Sequence, residues 1–583
     1  MRFGDWCDRL GENAERPNPK IQNWIWTLGF GHCLVIEIWK LELPPVPESQ
    51  LSLDAGLEWP DFLAIAFYFA LTFGIAVWFG RKQKDVDDFF VGGRRMPWFA
   101  VGLSILATLF STLSYLGMPG EMIKNGMGVF LGILAAPLSM AVIMLLWIPF
   151  FMRLQLTSAY EYLELRFSYP VRLIGAALFV LLRLGWMSMV IFAASMALDR
   201  VKGPDILWLP GEDIYWWIGL VGIIAAIYTA VGGIQAMIWT DVLQCLLLLA
   251  GVLLAIGYVA TVDGTGPVDW WKTAANTEGR NNLPPLFSWD ITVRTTIVFA
   301  LINHFFWNIC THGSDQVVLQ RYFSVSSLKN ARKSYFVNFL VDLTMASLLS
   351  LCGLALLAFY LKHADQVPGG LTAVKGADKL FPHFLGNQLP AGFAGLIISA
   401  FLCDAIQTLE SGVNAITAVA ANDIVPRLRR GRPRIMSDLA FARVMSILIT
   451  IAVTANAYFV ANRVQAIGET IVGMMPKFFN MFVGPLASLF IIGMFFRRCT
   501  ARSAIPAVLC GFAVSICWSW WPEIRGVPKE QAPSFLLAIA APCLTSLSIA
   551  WILGWVVERG GAHSGLKFTW REIVSQEEMK SES

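Results

Sequence analysis

Runs of roughly 20 apolar residues recur along the chain, separated by short polar stretches. A helix of that length crosses a ~30 Å hydrocarbon layer, whereas a barrel strand needs only about ten residues. Lipid offers no partner to a bare backbone amide, so segments this long must cross it as helices. Composition agrees: of 583 residues 56% are hydrophobic and 15% charged, too few charges to cover a soluble protein of this size. The expected fold is an all-α polytopic membrane protein.

The expected spans are 60–80, 98–119, 127–151, 171–197, 213–232, 235–259, 293–313, 334–361, 390–420, 440–461, 465–496, 502–521 and 533–556, about thirteen helices. Alternate loops are rich in Lys and Arg. They hold Arg81, Lys82, Lys84, Arg94 and Arg95; Arg153, Arg166 and Arg172; Arg321, Lys329, Arg332 and Lys333; Arg427, Arg429, Arg430, Arg432 and Arg434; and Arg497, Arg498 and Arg502. The intervening loops offer Lys124, then Lys272 and Arg280, then Arg463. The positive-inside rule therefore places the N-terminus of the core outside and the C-terminus in the cytoplasm of a plasma or inner membrane.

Three regions follow: an extension, 1–55, peripheral or disordered; a transmembrane domain, 56–560; and a short hydrophilic cytoplasmic tail, 561–583. The ten cysteines form no CxxC pair, and those in apolar runs, such as Cys245, Cys352, Cys403 and Cys510, read as small buried hydrophobes. No P-loop, HExxH or nucleophile elbow is present, so ATP hydrolysis and membrane-embedded enzymology are not expected. His304, Cys310 and His312 lie on mixed faces and read as cavity lining or structural hydrogen bonding. Nothing points to nucleic acid; the expected partners are a small solute and the bilayer.

Two spans are interrupted. In "SILATLFSTLSYLGMPGE", Ser111, Thr112 and Ser114 precede Gly117, Pro119 and Gly120; Pro removes an amide donor and Gly weakens a helix, so carbonyls are freed near mid-span. "LINHFFWNICTHGSDQ" carries Asn303, His304, Asn308, Thr311, His312 and Gly313. Unwound backbone at membrane depth survives only where it lines a cavity or binds something, and paired interrupted spans mark a transporter site. The two lie five spans apart, as a five-plus-five inverted repeat requires. A third span, "SAFLCDAIQTLESGVN", stacks Asp404, Gln407, Thr408 and Ser411 on one face. An intramembrane carboxylate is expensive and marks an ion or proton site; bonding to neighbouring helices is the plainer use of the amide and hydroxyls.

The stretches "DFFVGGRRMPWFAVGLSILATLFSTLSYLGMPGE", "IYTAVGGIQAMIWTDVLQ", "GSDQVVLQRYFSVSSLKNARKS", "PAGFAGLIISAFLCDAIQTLESGVNAITAVAANDIV" and "VGPLASLFIIGMFFRR" resemble, in order, segments of the sodium:solute symporter family. The resemblance implies secondary active transport driven by Na⁺, on a five-plus-five inverted repeat with one helix before and two after. It places the sodium site on the carbonyls of Ala107 and Phe110 and on Asp404, Gln407 and Thr408. Thr408 alone keeps the family's hydroxyl; Gln407 replaces a Ser and Asp404 a small residue. Asp404 can then strengthen Na⁺ binding as an anion, or carry a proton as a desolvated acid and make H⁺ the coupling ion. A sensor that binds solute without moving it is the remaining alternative.

The resemblance also places Asp241 on the inner ion exit path, although a capping Asp reads equally well. Arg183 is expected either to strut a buried carboxylate, Asp241 or Asp342, or to grip a substrate carboxylate. Ser111, Ser114, Asn308 and Thr311 are the other candidate solute contacts, with Phe110, Tyr115 and Trp307 as walls. Leu109, Leu113 and Ile133 stand where the family's sugar carriers use polar residues, which weakens sugar recognition, although Asn308 matches a sugar-carrier contact; the "SxxLGxPxE" pattern of the first broken span resembles the anion and monocarboxylate carriers and favours a small organic anion.

Overall fold

The computed structural model describes residues 58–574, apart from 82–90, 155, 157, 202–213, 230–233, 278–282, 368–375, 421–424, 426–437, 468–470 and 559–563. The extension 1–55 lies outside the described residues, as does the end of the tail. Among the described residues every regular element is helical.

The first principal helix, α1 (Trp59–Gly80), precedes a pair, α2 (Trp98–Leu109) and α3 (Thr112–Asn125). Then come α4 (Phe130–Leu154), α5 (Tyr169–Val201), α6 (Ile214–Thr229) and α7 (Ile234–Asp263). A second run has the same plan: a pair, α8 (Ile297–Ser314) and α9 (Gln316–Phe323), then α10 (Leu328–Lys362). The short helix α11 (Ala377–Asn387) comes before α12 (Phe393–Val419), α13 (Asp438–Ile467) and α14 (Ile471–Phe495). The last two principal helices are α15 (Ala501–Ser519) and α16 (Ala540–Val556). Among the described residues ten helices are long and apolar enough to cross a membrane, eleven if the bent pair α2–α3 counts as one span. The expected spans 213–232 and 293–313 are the shorter α6 and the polar α8.

Helix α12 runs through the middle of the bundle, buried along almost its whole length, whereas α1 presents Leu63, Phe67 and Trp78 outward. A polar stripe on α12 therefore faces protein, which is what makes it tolerable. Asp61 in the first turn of α1 accepts the amides of Gly392 (2.7 Å) and Gly395 (2.6 Å), placing a carboxylate on the start of α12. A Cβ on Gly395 would fall 2.3 Å from the Asp61 carbonyl oxygen, so the close approach of α1 and α12 requires glycine there.

Both interruptions exist, but not where Pro and Gly suggest. Pro119 lies inside a continuous α3; the chain breaks at Phe110–Ser111, where α2 and α3 meet at 61°. Helix α8 runs unbroken through Asn303–Gly313 and stops at Asp315, whose carboxylate accepts the Val317 amide (3.0 Å) and so caps α9. Arg166 and Arg321, expected in open cytoplasmic loops, are buried: Arg166 donates to the carbonyls of Gly493 (2.8 Å) and Phe496 (2.9 Å). Cys510 is exposed, because α15 is peripheral and turns it away from the bundle. The described part of the tail docks on the core, with Trp570 Nε1 donating to the Leu146 carbonyl (3.0 Å).

Candidate ion and solute site

At the first break two hydrogen-bond ladders fail to join. The Phe110 amide still bonds back to the Leu106 carbonyl (2.7 Å), while the amides of Ser114 and Tyr115 bond to Ser111 (2.8 and 3.2 Å). The carbonyls of Ala107 and Phe110 thus fall between the ladders, in residues that are 7% exposed. Helix α12 meets this point directly. Thr112 Oγ1, in the first turn of α3, donates to Asp404 Oδ2 at 2.5 Å. Gln244 Nε2, from α7, donates to the other oxygen, Asp404 Oδ1.

The rest of the stripe has unsatisfied groups. Thr408 Oγ1 and both amide atoms of Gln407 are buried without a partner, as is Ser111 Oγ on the facing break. Buried polar atoms are nearly always paired, so oxygens left open on α12 and at the facing break are the kind of group that a small cation can take up. The structure brings the break and the Asp404 helix together; Ser411, expected in the same stripe, is diverted to Arg321 Nη2 (3.0 Å).

Asp241 is engaged. It accepts from Ser104 Oγ (2.5 Å) and pairs with Arg321 Nη2 (3.0 Å), while Arg321 Nε donates to Ser104 (2.7 Å). Arg183 pairs with neither Asp241 nor Asp342. Its partner is Asp315, the residue at the second break, reached through Nη2 and through Nε at 3.3 Å. Sequence reasoning missed Asp315, although Asp before a helical run, as in "SDQVV", is a capping signal.

Asn308 Nδ2 and Thr311 Oγ1 bond back along α8, to the carbonyls of His304 (3.0 Å) and Trp307 (2.7 Å). Among the described residues no hydrogen bond joins them to Ser111 or Ser114. His312 Nδ1 is paired with the Tyr322 hydroxyl at 2.6 Å, a structural bond. Tyr115 donates to the Leu248 carbonyl (2.9 Å) and packs between Phe381 and Phe401.

Two runs of helices on the same plan, each opened by a broken helix, with open oxygens at the first break, define a helical membrane carrier. A model of the sodium:solute symporter family matches residues 89–511, and the chain belongs to that family. It is accordingly a sodium-coupled secondary transporter of a small solute. It is 28% identical to the sodium/sialic acid symporter NanT of Aliivibrio fischeri, over 79% of this chain and 87% of that one. Identity to the human sodium/iodide cotransporter is 31%, over 83% of this chain and 73% of that one. A solved structure of a Na⁺-coupled sialic acid symporter, substrate-bound and outward-open, superposes with a TM-score of 0.74 at 25% identity, covering 87% of this chain and 99% of that one.

Proposed function

We propose that the chain carries a small organic anion across a plasma or inner membrane with Na⁺, by alternating access. The ion is held by the carbonyls of Ala107 and Phe110 and by Asp404, Gln407 and Thr408. The observation that carries this reading is the contact between the first break and Asp404, with the open atoms of Gln407 and Thr408 beside it.

Charge balance supports it. Arg183 is matched by Asp315 and Arg321 by Asp241, and among the described residues Asp404 and Glu410 on α12 form no ion pair. Two uncompensated carboxylates in a dry interior favour binding a cation from solution. Thr112 and Gln244 orient the Asp404 carboxylate by donating to it, which suits an ionised ligand. An ion leaving inward past Asp241 has to displace or accompany the Arg321 guanidinium, which makes that pair an inner checkpoint.

The solute lies between the two breaks, in reach of Ser111, Ser114, Asn308, Thr311 and Arg183. The relatives named above carry sialic acid, a carboxylic acid, or iodide, and the apolar Leu109, Leu113 and Ile133 offer nothing to sugar hydroxyls. The core N-terminus faces outside and the C-terminus the cytoplasm, from the loop charges. Proteoliposomes holding the full chain test all of this. An inward Na⁺ gradient is expected to drive accumulation of an acid from a panel of acids, sugars and amino acids. Uptake driven by a pH gradient and indifferent to Na⁺ would assign the coupling to H⁺ on Asp404. Solute binding without uptake would make the chain a sensor.

A further inference from the structure

A cavity of about 460 Å³ lies where α3 ends, α8 and α14 begin and α15 runs into its connection with α16. None of its lining residues belongs to α2 or α12, so it is separate from the candidate ion site. Four cationic side chains line it, Lys124, Arg294, Lys477 and Lys529, against one carboxylate, Glu530. Ser519, in the last turn of α15, lines it as well, and its Oγ is buried without a partner.

The cations are not equivalent. Arg294 is committed to Glu121, at 2.6 and 3.1 Å, and lies over the Phe535 ring. Lys477 is only 6% exposed, and its Nζ donates to Glu523 Oε1 at 2.7 Å. Lys124 forms no ion pair among the described residues. The walls are fixed before any ligand arrives. The Ser534 amide donates to the Ile291 carbonyl (2.7 Å), its hydroxyl to the Arg294 carbonyl (2.6 Å), and Trp518 Nε1 to the Ser534 carbonyl (3.0 Å). These bonds pin the connection between α15 and α16 to the segment ahead of α8. Lys477 sits on a widened π-helical turn of α14, Pro476–Asn480, a feature that recurs at functional sites.

Trp518, Phe535, Pro476 and Pro522 give the cavity apolar walls. A preformed concavity of this volume, apolar with a few charged groups, is the usual make-up of a small-molecule site. Cations outnumbering acids in the lining select an anion, and the open Ser519 hydroxyl can donate to one of its oxygens. We infer that this cavity is a second binding site, for a small carboxylate with an apolar body, distinct from the ion site at the first break. The inference stands whether or not the transported solute is an anion.

The test is equilibrium binding of radiolabelled benzoate to the full chain in nanodiscs of neutral lipid, in Na⁺-free choline buffer. Saturable binding is expected, with benzamide competing poorly because it has the ring and lacks the charge. Lys124→Gln and Lys477→Gln are each expected to weaken benzoate about tenfold, the worth of one charge-assisted hydrogen bond, while Lys124→Arg keeps the affinity. Ser519→Ala should weaken it as well, and unaltered melting temperatures show that the fold is intact. Affinity within twofold of the unaltered chain in both Gln variants overturns the site, as does benzamide that competes as well as benzoate. Inorganic phosphate that displaces benzoate as readily as unlabelled benzoate does overturns the carboxylate assignment. Binding seen only with Na⁺ and lost in Thr408→Ala places benzoate at the transport site, which overturns this inference and leaves the carrier reading intact. No saturable benzoate binding overturns it outright.

Discussion

Thr408 and Asp404 share one face of α12, yet physics assigns them separable duties. A hydroxyl lends a neutral oxygen, so Thr408→Ala should raise the Na⁺ needed for half-maximal uptake without changing its pH dependence; an unchanged Na⁺ requirement counts against the cage. Asp404 adds full charge, and Asp404→Asn keeps its shape while leaving Thr112 and Gln244 to bond a neutral amide. Weakened Na⁺ activation is the expected outcome, whereas loss of pH sensitivity alone would point to a proton on that carboxylate. Breaking a fully buried ion pair costs about 3–5 kcal/mol because the abandoned charge stays in the dark. Asp315→Asn should therefore lower the thermal stability of the detergent-purified chain more than Thr408→Ala does. The sequence showed that Arg183 needed a partner, since charge in hydrocarbon always does, but not which one. Asp315 is distant in sequence from Arg183, and only the docking of α5 against the second break brings them together.

Elements were more legible than their joints. Each apolar run became a helix close to where it was expected, because length and hydropathy are summed over many residues and one misread residue changes little. Breaks depend on single backbone positions. Pro119 looked like the breaker, but Pro costs a helix one amide bond and a bend, and α3 absorbs both in a packed setting. The hydroxyl-rich "FSTLS" is where the ladder stops, with Ser111 in extended conformation opening α3. Pro119→Ala should therefore leave Na⁺ activation within twofold of the unaltered protein; a large loss would restore the proline to the mechanism. Gly395 tells the opposite story. Its missing Cβ lets α1 lie against the start of α12, and overpacking costs typically about 1–3 kcal/mol. Gly395→Val should lower the melting temperature, and an unaltered melt would show that α1 contributes little to the core.

On the scale of the whole molecule, the two runs of helices must move against each other, so contacts outside the bilayer that join them set the balance between states. Asp378 of α11, outside the membrane-spanning helices, is one such contact: its Oδ2 accepts the amide of Ile471 at the start of α14 (3.0 Å). Its other oxygen is buried without a partner, pressed onto Gly120 of α3. One carboxyl thus bridges α3, the second half of the first broken helix, and the last span of the second run. Burial pushes it up to about 7, with Glu121 adding to the rise and the Ile471 amide, Lys124 and Lys379 opposing it. For an acid raised in the folded state the sign is fixed: the native protein holds the proton between its ordinary range and about 7, and the unfolded chain does not. Stability from this group is therefore lost as pH climbs from about 4 to about 7 and changes no further above that. Asp378→Asn mimics the protonated form, so its melting temperature should exceed that of the unaltered chain at pH 8 and the gap should close towards pH 5. A gap independent of pH would mean that the carboxyl stays ionised and that the bridge is held by the amide bond alone.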